Sequence, residues 1–584
     1  MTKITSETIT HLKAKPEKWA AFVEWWDEDW SWDALPSKMQ FEGKQSLQDY
    51  WRDQESTLIK FGGRRWTRVH LPPCDRDGNI CSAWSKAKGD LFWSAIEQRL
   101  LDISLPIDRA LFVDKIKPQP AVLHGVVFPE WPQAKVEKII SAYFEKCIFL
   151  GWCAFSNKKI ANSFFDKARF LGDAADFSGT EFLDGGAHFA QSQMLCGIVG
   201  FSGAKFHSGA YFREAWLTWP NFSGAVFKDG CDFSDVVFLD SGLYFIGAEF
   251  GGGYAHFDRI VVNGVADYSF AKFESLVSFT DAVFNYDVYF RCDKGGVFAS
   301  VADFNGAVFE RTADFSGRSF NQTTDFRRTK FNGLPMFYDC ELGRETLFDG
   351  DSFKRRKWLD PLDKITLEQK LGEEERERIR RRRIRFNDDH MFRRRDVDFK
   401  NLASSVPISV TWNDRARLFE LAFRNLRQLS IGNAEDEMNF HALELSARRA
   451  RTDVPLFERA IIYLYDWLSD YGRSMWRPIW IFLVVAAISV LVGTPLIRQA
   501  LDKGKLLNHG IELPSWAEVA MYIVRNFIPP PPVWSENLGR AWAVGINDIP
   551  RILLFLAGMF QTIVFASFVA LFLIALRRRF RVRD

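Results

Sequence analysis

From residue 304 onward, large apolar residues fall at Phe304, Phe309, Phe315, Phe320, Phe326, Phe331, Phe337, Leu342, Phe348 and Phe353, in steps that alternate five and six. No α-helix face repeats with that spacing. Earlier segments carry the same template: Phe177-Ser-Gly-Thr-Glu-Phe182, Phe201-Ser-Gly-Ala-Lys-Phe206 and Phe222-Ser-Gly-Ala-Val-Phe227. Self-similarity from about residue 121 to 353 marks a solenoid. It also accounts for the composition, since 55 Phe raise the aromatic share to 15%. A small residue often stands two before each Phe (Ala175, Ala187, Ala204, Ala225, Ala248, Ala255, Ala302, Ala307, Ala313). Residues two apart in a strand share a face, so both point into a narrow tube filled by stacked rings. The Ser-Gly or Asn-Gly pair supplies a corner where positive φ is tolerated.

These units resemble the pentapeptide-repeat family, which implies a right-handed quadrilateral β-helix. Doublets recurring every 11 or 12 residues (Phe177, Phe189, Phe201; Phe233, Phe245, Phe257) depart from strict fives, so one or two extra residues must bulge at every second corner. Family members that bind DNA gyrase mimic DNA with strongly acidic surfaces. Here residues 121–353 have an excess of only about nine acidic charges, and nucleic acid is not an expected partner. A coil offers faces and no cleft, and no motif for phosphate, metal or nucleophile stands in it; an enzyme is not expected, nor a cofactor. His188, His207 and His256 flank inward Phe residues and should point outward.

A chain of 584 residues exceeds one hydrophobic core. Residues 1–105 are Trp-rich (Trp19, Trp25, Trp26, Trp30, Trp32, Trp51, Trp66, Trp84, Trp93) and read as a mainly helical domain that caps one end of the solenoid. Its Trp stripe lies beside Glu24, Asp27, Glu28 and Asp29, which repel phosphates, so the rings read as core. Eight scattered cysteines and an N-terminus without an apolar stretch imply a reducing cytosol and free thiols; Cys74 and Cys81 lack partners for zinc. Net charge is +2, so charge effects must be local.

Residues 354–470 read as a charged and amphipathic helical linker. Glu373, Glu374, Glu375 and Glu377 precede Arg378 and Arg380 to Arg383, an order that stabilises a solvated helix; Arg380, Arg381, Arg382 and Arg383 are also candidates for anionic lipid. Three apolar faces follow: Leu418, Leu421, Phe423, Leu426 and Leu429; Met438, Phe440, Leu443 and Leu445; Phe457, Ile461, Ile462 and Leu464. Glu437, His441 and Glu444 share a helix face, for which ion pairing with Arg448 or Arg449 is a plainer account than metal.

Residues 478–584 read as a membrane domain, with uncharged spans at 480–497 and 552–576 and an outer loop 498–551. Arg473 and Arg477 before the first span, and Arg577, Arg578, Arg579, Arg581 and Arg583 after the second, place both flanks in the cytoplasm; Arg577 to Arg579 are further candidates for lipid contact. Gly558, Gln561 and Thr562 form a small or polar face for a pore or an oligomer, and a homo-oligomer through the transmembrane hairpin is expected. The loop holds a short apolar helix pattern, SWAEVAMYIVRNF, before four prolines, which should re-enter the bilayer or lie on it. NFHALELSARR, SDYGRSMWRP and LFLIALRRRFRV resemble the segment that follows pentapeptide repeats in many bacterial membrane proteins, some with an ion-channel-like plan. The expected fold is therefore multidomain, a β-helix with α-helical cap and linker and a two-helix transmembrane hairpin. The expected role is non-enzymatic: a cytoplasmic solenoid at the bacterial inner membrane that binds a protein partner or senses a signal. The alternative is an oligomeric channel.

Overall fold

One side of a square coil takes two or three extended residues and a corner, and the computed structural model builds most of the solenoid from strands of that length. The structure describes residues 2–40, 44–84, 90–101, 120–131, 138–239, 242–292, 296–343, 346–348, 412–430, 434–474, 476–501, 506, 508, 512–525 and 559–573. These belong to two compact units, Met1–Ile408 and Ser409–Asp584.

In the first unit about ten coils stack, each strand pairing parallel with the coil above: Phe182 with Phe206, Phe206 with Phe227, Phe227 with Phe250, Phe250 with Phe273. Two columns of rings fill the centre. Phe165, Phe189, Phe212, Phe233 and Phe257 form one, and Phe177, Phe201, Phe222, Phe245 and Tyr268 the other, with successive centroids 4.8–5.2 Å apart and planes 2–8° apart. That separation is close to the strand spacing, so the ladder sets the stack. Between columns the rings meet edge to face, as Phe201 does with Phe189 (5.6 Å) and Phe212 (5.4 Å). Side columns flank them. One is continuous from Phe182 to Phe273. The other is interrupted by Met194, Leu217 and Val262 before Phe284, Phe309 and Phe331. The small residues two before each ring are buried, as the pattern requires.

Corners are of two kinds. After a central ring the next inward residue is five along (eight between Phe290 and Phe298). Thr180 N–H donates to Phe177 O and Ala204 N–H to Phe201 O, both at 3.1 Å, with Gly179 and Gly203 at φ +66° and +65°. The same left-handed position is held without glycine by Lys167, Gln191, Glu214, Asp235 and Arg259. The conformation costs roughly 1 kcal/mol per residue. There the Gln191 and Glu214 N–H groups donate to the next coil at 2.8 and 2.9 Å. The alternate corners vary, from Leu217 to Pro220 (three residues) to Phe182 to Ala187 (five), so the extra residues lie at every second corner. One register shift falls between Asp229 and Cys231.

The N-terminal domain has helices α1 (Thr2–Lys13), α2 (Pro16–Asp27), α3 (Leu47–Tyr50) and α4 (Asp90–Leu101), with one hairpin of β1 (Ile59–Phe61) and β2 (Arg64–Trp66). Trp25, Trp30, Trp51, Trp66 and Trp84 form its buried core. It caps the ring stack: Phe92 meets Phe128 at 6.1 Å and Trp93 meets Trp131 at 5.8 Å, edge to face.

The second unit contains α5 (Trp412–Leu429), α6 (Ala434–Ala450), α7 (Leu456–Ser469), α8 (Trp476–Ala500), α9 (Trp516–Arg525) and α10 (Met559–Leu573). The buried stripe of α5 is Ala416, Phe419, Ala422, Phe423 and Leu426; Leu421, expected there, is exposed. In α7 only Ile462 of the expected face is buried, while Phe457, Ile461 and Leu464 are exposed. Among the described residues one helix, Trp476–Gln499, is long and apolar enough to cross a membrane, and Met559–Leu573 is a shorter apolar helix within the expected second span. Phe482 touches Phe565 (5.2 Å) and Phe568 (6.1 Å). Helix α9 packs Val519 and Ile523 with Ile497, Leu501 and Leu506, and a Cβ at Gly493 would stand 2.9 Å from Ile523 Cδ1.

Candidate functional site

The outer surface of the solenoid follows from register, because the neighbours of each inward residue point out. On one side, residues preceding the side-column rings form a charge ladder in which Lys159 and Lys205 lie 3.9 and 3.1 Å from Glu181, and Lys272 pairs with Glu249. Such exposed pairs contribute little. On another, Tyr143, Phe164, His188 and Tyr211 form a row of ring contacts outside the coil at 4.4–5.2 Å, the first edge to face. A corner carries the third feature. Trp152, Ala174, Ile198 and Trp219 occupy one register position on four successive coils. Trp152 is 60% exposed, Ile198 61% and Trp219 37%. Trp219 lies at φ +48° directly before Pro220, a conformation that Ser141 and Asn162 take at the same tight corner and that costs a bulky residue more.

The recurrent step Asp, aromatic ring, Ser follows from the same corners. Asp176, Asp232, Asp267 and Asp314 each accept the N–H two residues on, at Ser178, Ser234, Ser269 and Ser316, at 2.8–3.0 Å. The outward aspartates thus brace corners. Residues 197–237, which hold the Asp232 unit, match the family described as pentapeptide repeats (9 copies). This stretch of the β-solenoid carries pentapeptide repeats. No curated protein and no solved structure matches the chain.

On this pentapeptide-repeat solenoid the three histidines face outward: His188 Nε2 bonds Gly185 O (2.8 Å), His207 Nδ1 bonds Lys228 Nζ (3.3 Å) and His256 Nδ1 lies 3.3 Å from Asp258. All eight thiols are free, seven of them buried; burial pushes Cys74, Cys196 and Cys340 up to about 12. The acids of α2 do not face solvent alone. Arg169 Nη2 donates to Glu28 (2.7 Å), Gln193 to Glu24 (3.3 Å), and buried Lys18 Nζ to Gly172 O (2.8 Å). They bind the cap to the coils.

Two buried histidines close this junction. His70 Nδ1 meets Thr67 Oγ1 (2.7 Å) and its Nε2 meets His124 O (3.1 Å), while His124 Nδ1 lies 3.5 Å from Glu145. Burial lowers each to about 4. The unfolded chain therefore binds protons that the folded chain excludes between about pH 6.5 and 4, so stability is intact above that window and falls on acidification through it. The loss should reach at most about 3 kcal/mol per histidine. Thermal unfolding at pH 7 and pH 5 checks this; His70→Gln should flatten the dependence, and an unchanged slope would reject the assignment.

In the second unit Glu444 accepts from Arg424 (2.8 Å) and lies 2.9 Å from Arg427. Arg448 and Arg449, the partners expected from spacing, pair instead with Glu458 (2.7 Å) and Asp466 (3.0 Å) on α7. Among the described residues no group of three or more His, Cys, Asp or Glu could hold a metal. Gln561 and Thr562 are half-buried on α10. Gly558, Arg380 to Arg383 and Arg577 to Arg579 lie outside the described residues.

Proposed function

We propose that the protein is a membrane-anchored pentapeptide-repeat scaffold whose solenoid holds a protein partner at the bacterial inner membrane, without covalent chemistry. The corner ridge of Trp152, Ile198 and Trp219 carries this reading. Two exposed Trp and an exposed Ile at one register position along four coils offer an apolar anchor of the sort that dominates protein interfaces. Helix α8 supplies the anchor, the solenoid and C-terminus are placed in the cytoplasm, and loop 498–551 outside. Cross-linking of the full chain in membranes should give an adduct that Trp152→Ser with Ile198→Ser abolishes and Lys205→Ser preserves. An adduct indifferent to the ridge would reject it as the docking face.

A second reading, an oligomeric pore with Gly558, Gln561 and Thr562 toward the path, is favoured by one observation. Short α9 packs against α8 at Gly493, between two apolar helices, as a re-entrant element would. Gly493→Leu should then change bilayer conductance; purified protein that passes no current would leave the scaffold.

A further inference from the structure

Helix α7 is built the wrong way round for a soluble bundle. Its charged residues face the neighbouring helix: Glu458 takes Arg448 (2.7 Å), Asp466 takes Arg449 (3.0 Å), and Arg459 Nε donates to Arg449 O (3.1 Å). Of its apolar residues only Ile462 is buried, against Ala442 and Tyr471. The opposite side carries Leu456, Phe457, Ile461, Leu464 and Trp467, exposed by 49–80%. A helix in water places its apolar stripe on the core and its charges outside. Here the stripe is free and the charges are spent inward.

What covers it follows from the next element. The chain leaves α7 through Asp470, Tyr471 and Gly472, all at positive φ (+51°, +55° and +82°), and α8 begins at Trp476. This turn is locked. Tyr471 is fully buried with its ring edge-on to Tyr465 (5.9 Å), and Arg473 holds Asp470 (2.8 Å) and Asn439 (3.3 Å). Trp476, Trp480, Val484, Ile488 and Leu491 of α8 are 53–74% exposed, so α7 and the apolar helix α8 each present a bare apolar face, one on either side of the turn. Arg473 and Arg477 stand at the join, where anionic headgroups would meet them. Tyr463 and Trp467 are the residue types that settle at headgroup depth.

We infer that α7 is an interfacial helix lying in the cytoplasmic surface of the bilayer, with Phe457, Ile461, Leu464 and Trp467 among the acyl chains and Glu458 and Asp466 turned up to α6. The inference rests on the reading that α8 crosses the membrane. Its consequence is mechanical: through the ion pairs to Arg448 and Arg449, the cytoplasmic helices α5 and α6 are carried on the lipid surface itself.

Depth-dependent quenching tests it. The full chain with Cys292→Ser, which removes the one thiol that is not buried, carries a single cysteine labelled with an environment-sensitive fluorophore at Leu464, Phe457, Gln428 or Ile488. It is reconstituted in phosphatidylcholine and phosphatidylglycerol vesicles bearing a nitroxide near the headgroup or deep in the chain. Leu464→Cys and Phe457→Cys should lose about half their emission to the shallow nitroxide and little to the deep one, with Gln428→Cys on α5 unaffected. Ile488→Cys should respond to the deep nitroxide. Loss at Ile488 without loss at Leu464 overturns the interfacial helix and leaves the crossing helix standing. No loss at either site overturns both. A blue-shifted but unquenched Leu464 label also overturns it, in favour of cover by a second copy of the chain.

Discussion

Phe201→Ala should lower the unfolding free energy of the solenoid by about 3–5 kcal/mol, the range for removing a buried ring whose surroundings cannot collapse. Phe201 stacks on Phe177 and Phe222 at 4.9 and 4.8 Å and meets Phe189 and Phe212 edge to face. Those four rings are tied to parallel strands that cannot approach one another, so the cavity persists. Phe309→Ala, in a side column with stacked neighbours only at Phe284 and Phe331 (both 5.2 Å), belongs at the lower end of the range. Lys205→Ala, which removes an exposed pair with Glu181, should cost under about 0.5 kcal/mol. Urea unfolding of the detergent-purified chain, followed by far-ultraviolet circular dichroism, ranks the three. Equal midpoints for Phe201→Ala and Lys205→Ala would reject the ring stack as the source of stability.

The columns were legible because the template survives its own irregularity. Every second corner absorbs the extra residues, and the five-residue step after a central ring leaves inward positions countable from any Phe. The exposed ridge was in principle readable from the same count, since Trp152, Ile198 and Trp219 each stand three before an inward Phe, at the corner. Contacts between distant segments were not readable. Glu24 and Glu28 look like a solvated acidic patch until Arg169 and Gln193 arrive from coils more than 140 residues away. In α7 the helical apolar pattern is legible, but periodicity does not say which side meets a neighbour. The charges on Arg448 and Arg449 decided that. Glu444 shows the same limit: a pair at helical spacing lost to Arg424 and Arg427 of the adjacent helix.

Arg318 illustrates a signal present in the template and hidden by it. It stands two before Phe320, in the slot that Ala204, Ala225, Ala248 and Ala271 hold before their rings, so it points inward and is fully buried. In regular coils the carbonyls of Ala204, Ala225 and Ala248 accept N–H groups of Val226, Glu249 and Lys272 at 2.8–2.9 Å. Ala271 lies below the long corner between Phe290 and Phe298. Its carbonyl accepts Arg318 Nη1 (2.7 Å), Tyr268 O accepts Nη2 (3.1 Å) and Phe290 O accepts Nε. The guanidinium stands 5.5 and 5.4 Å from the rings of Phe273 and Phe298. Burial lowers Arg318 to about 10, which still leaves it charged at neutral pH. One side chain thus supplies donors to three carbonyls where the step from Phe290 to Phe298 is three residues longer than elsewhere. Arg318→Met keeps much of the volume and abolishes the donors. Relief of the buried charge offsets part of the loss, but buried carbonyls left unpaired cost about 1–3 kcal/mol each, so a net loss of about 3 kcal/mol is expected. Deleting residues 293–295 together with Arg318→Ala restores the five-residue step and the small slot, and should recover most of that stability by urea unfolding. A double variant no more stable than Arg318→Met would show that the arginine answers to something other than the long corner.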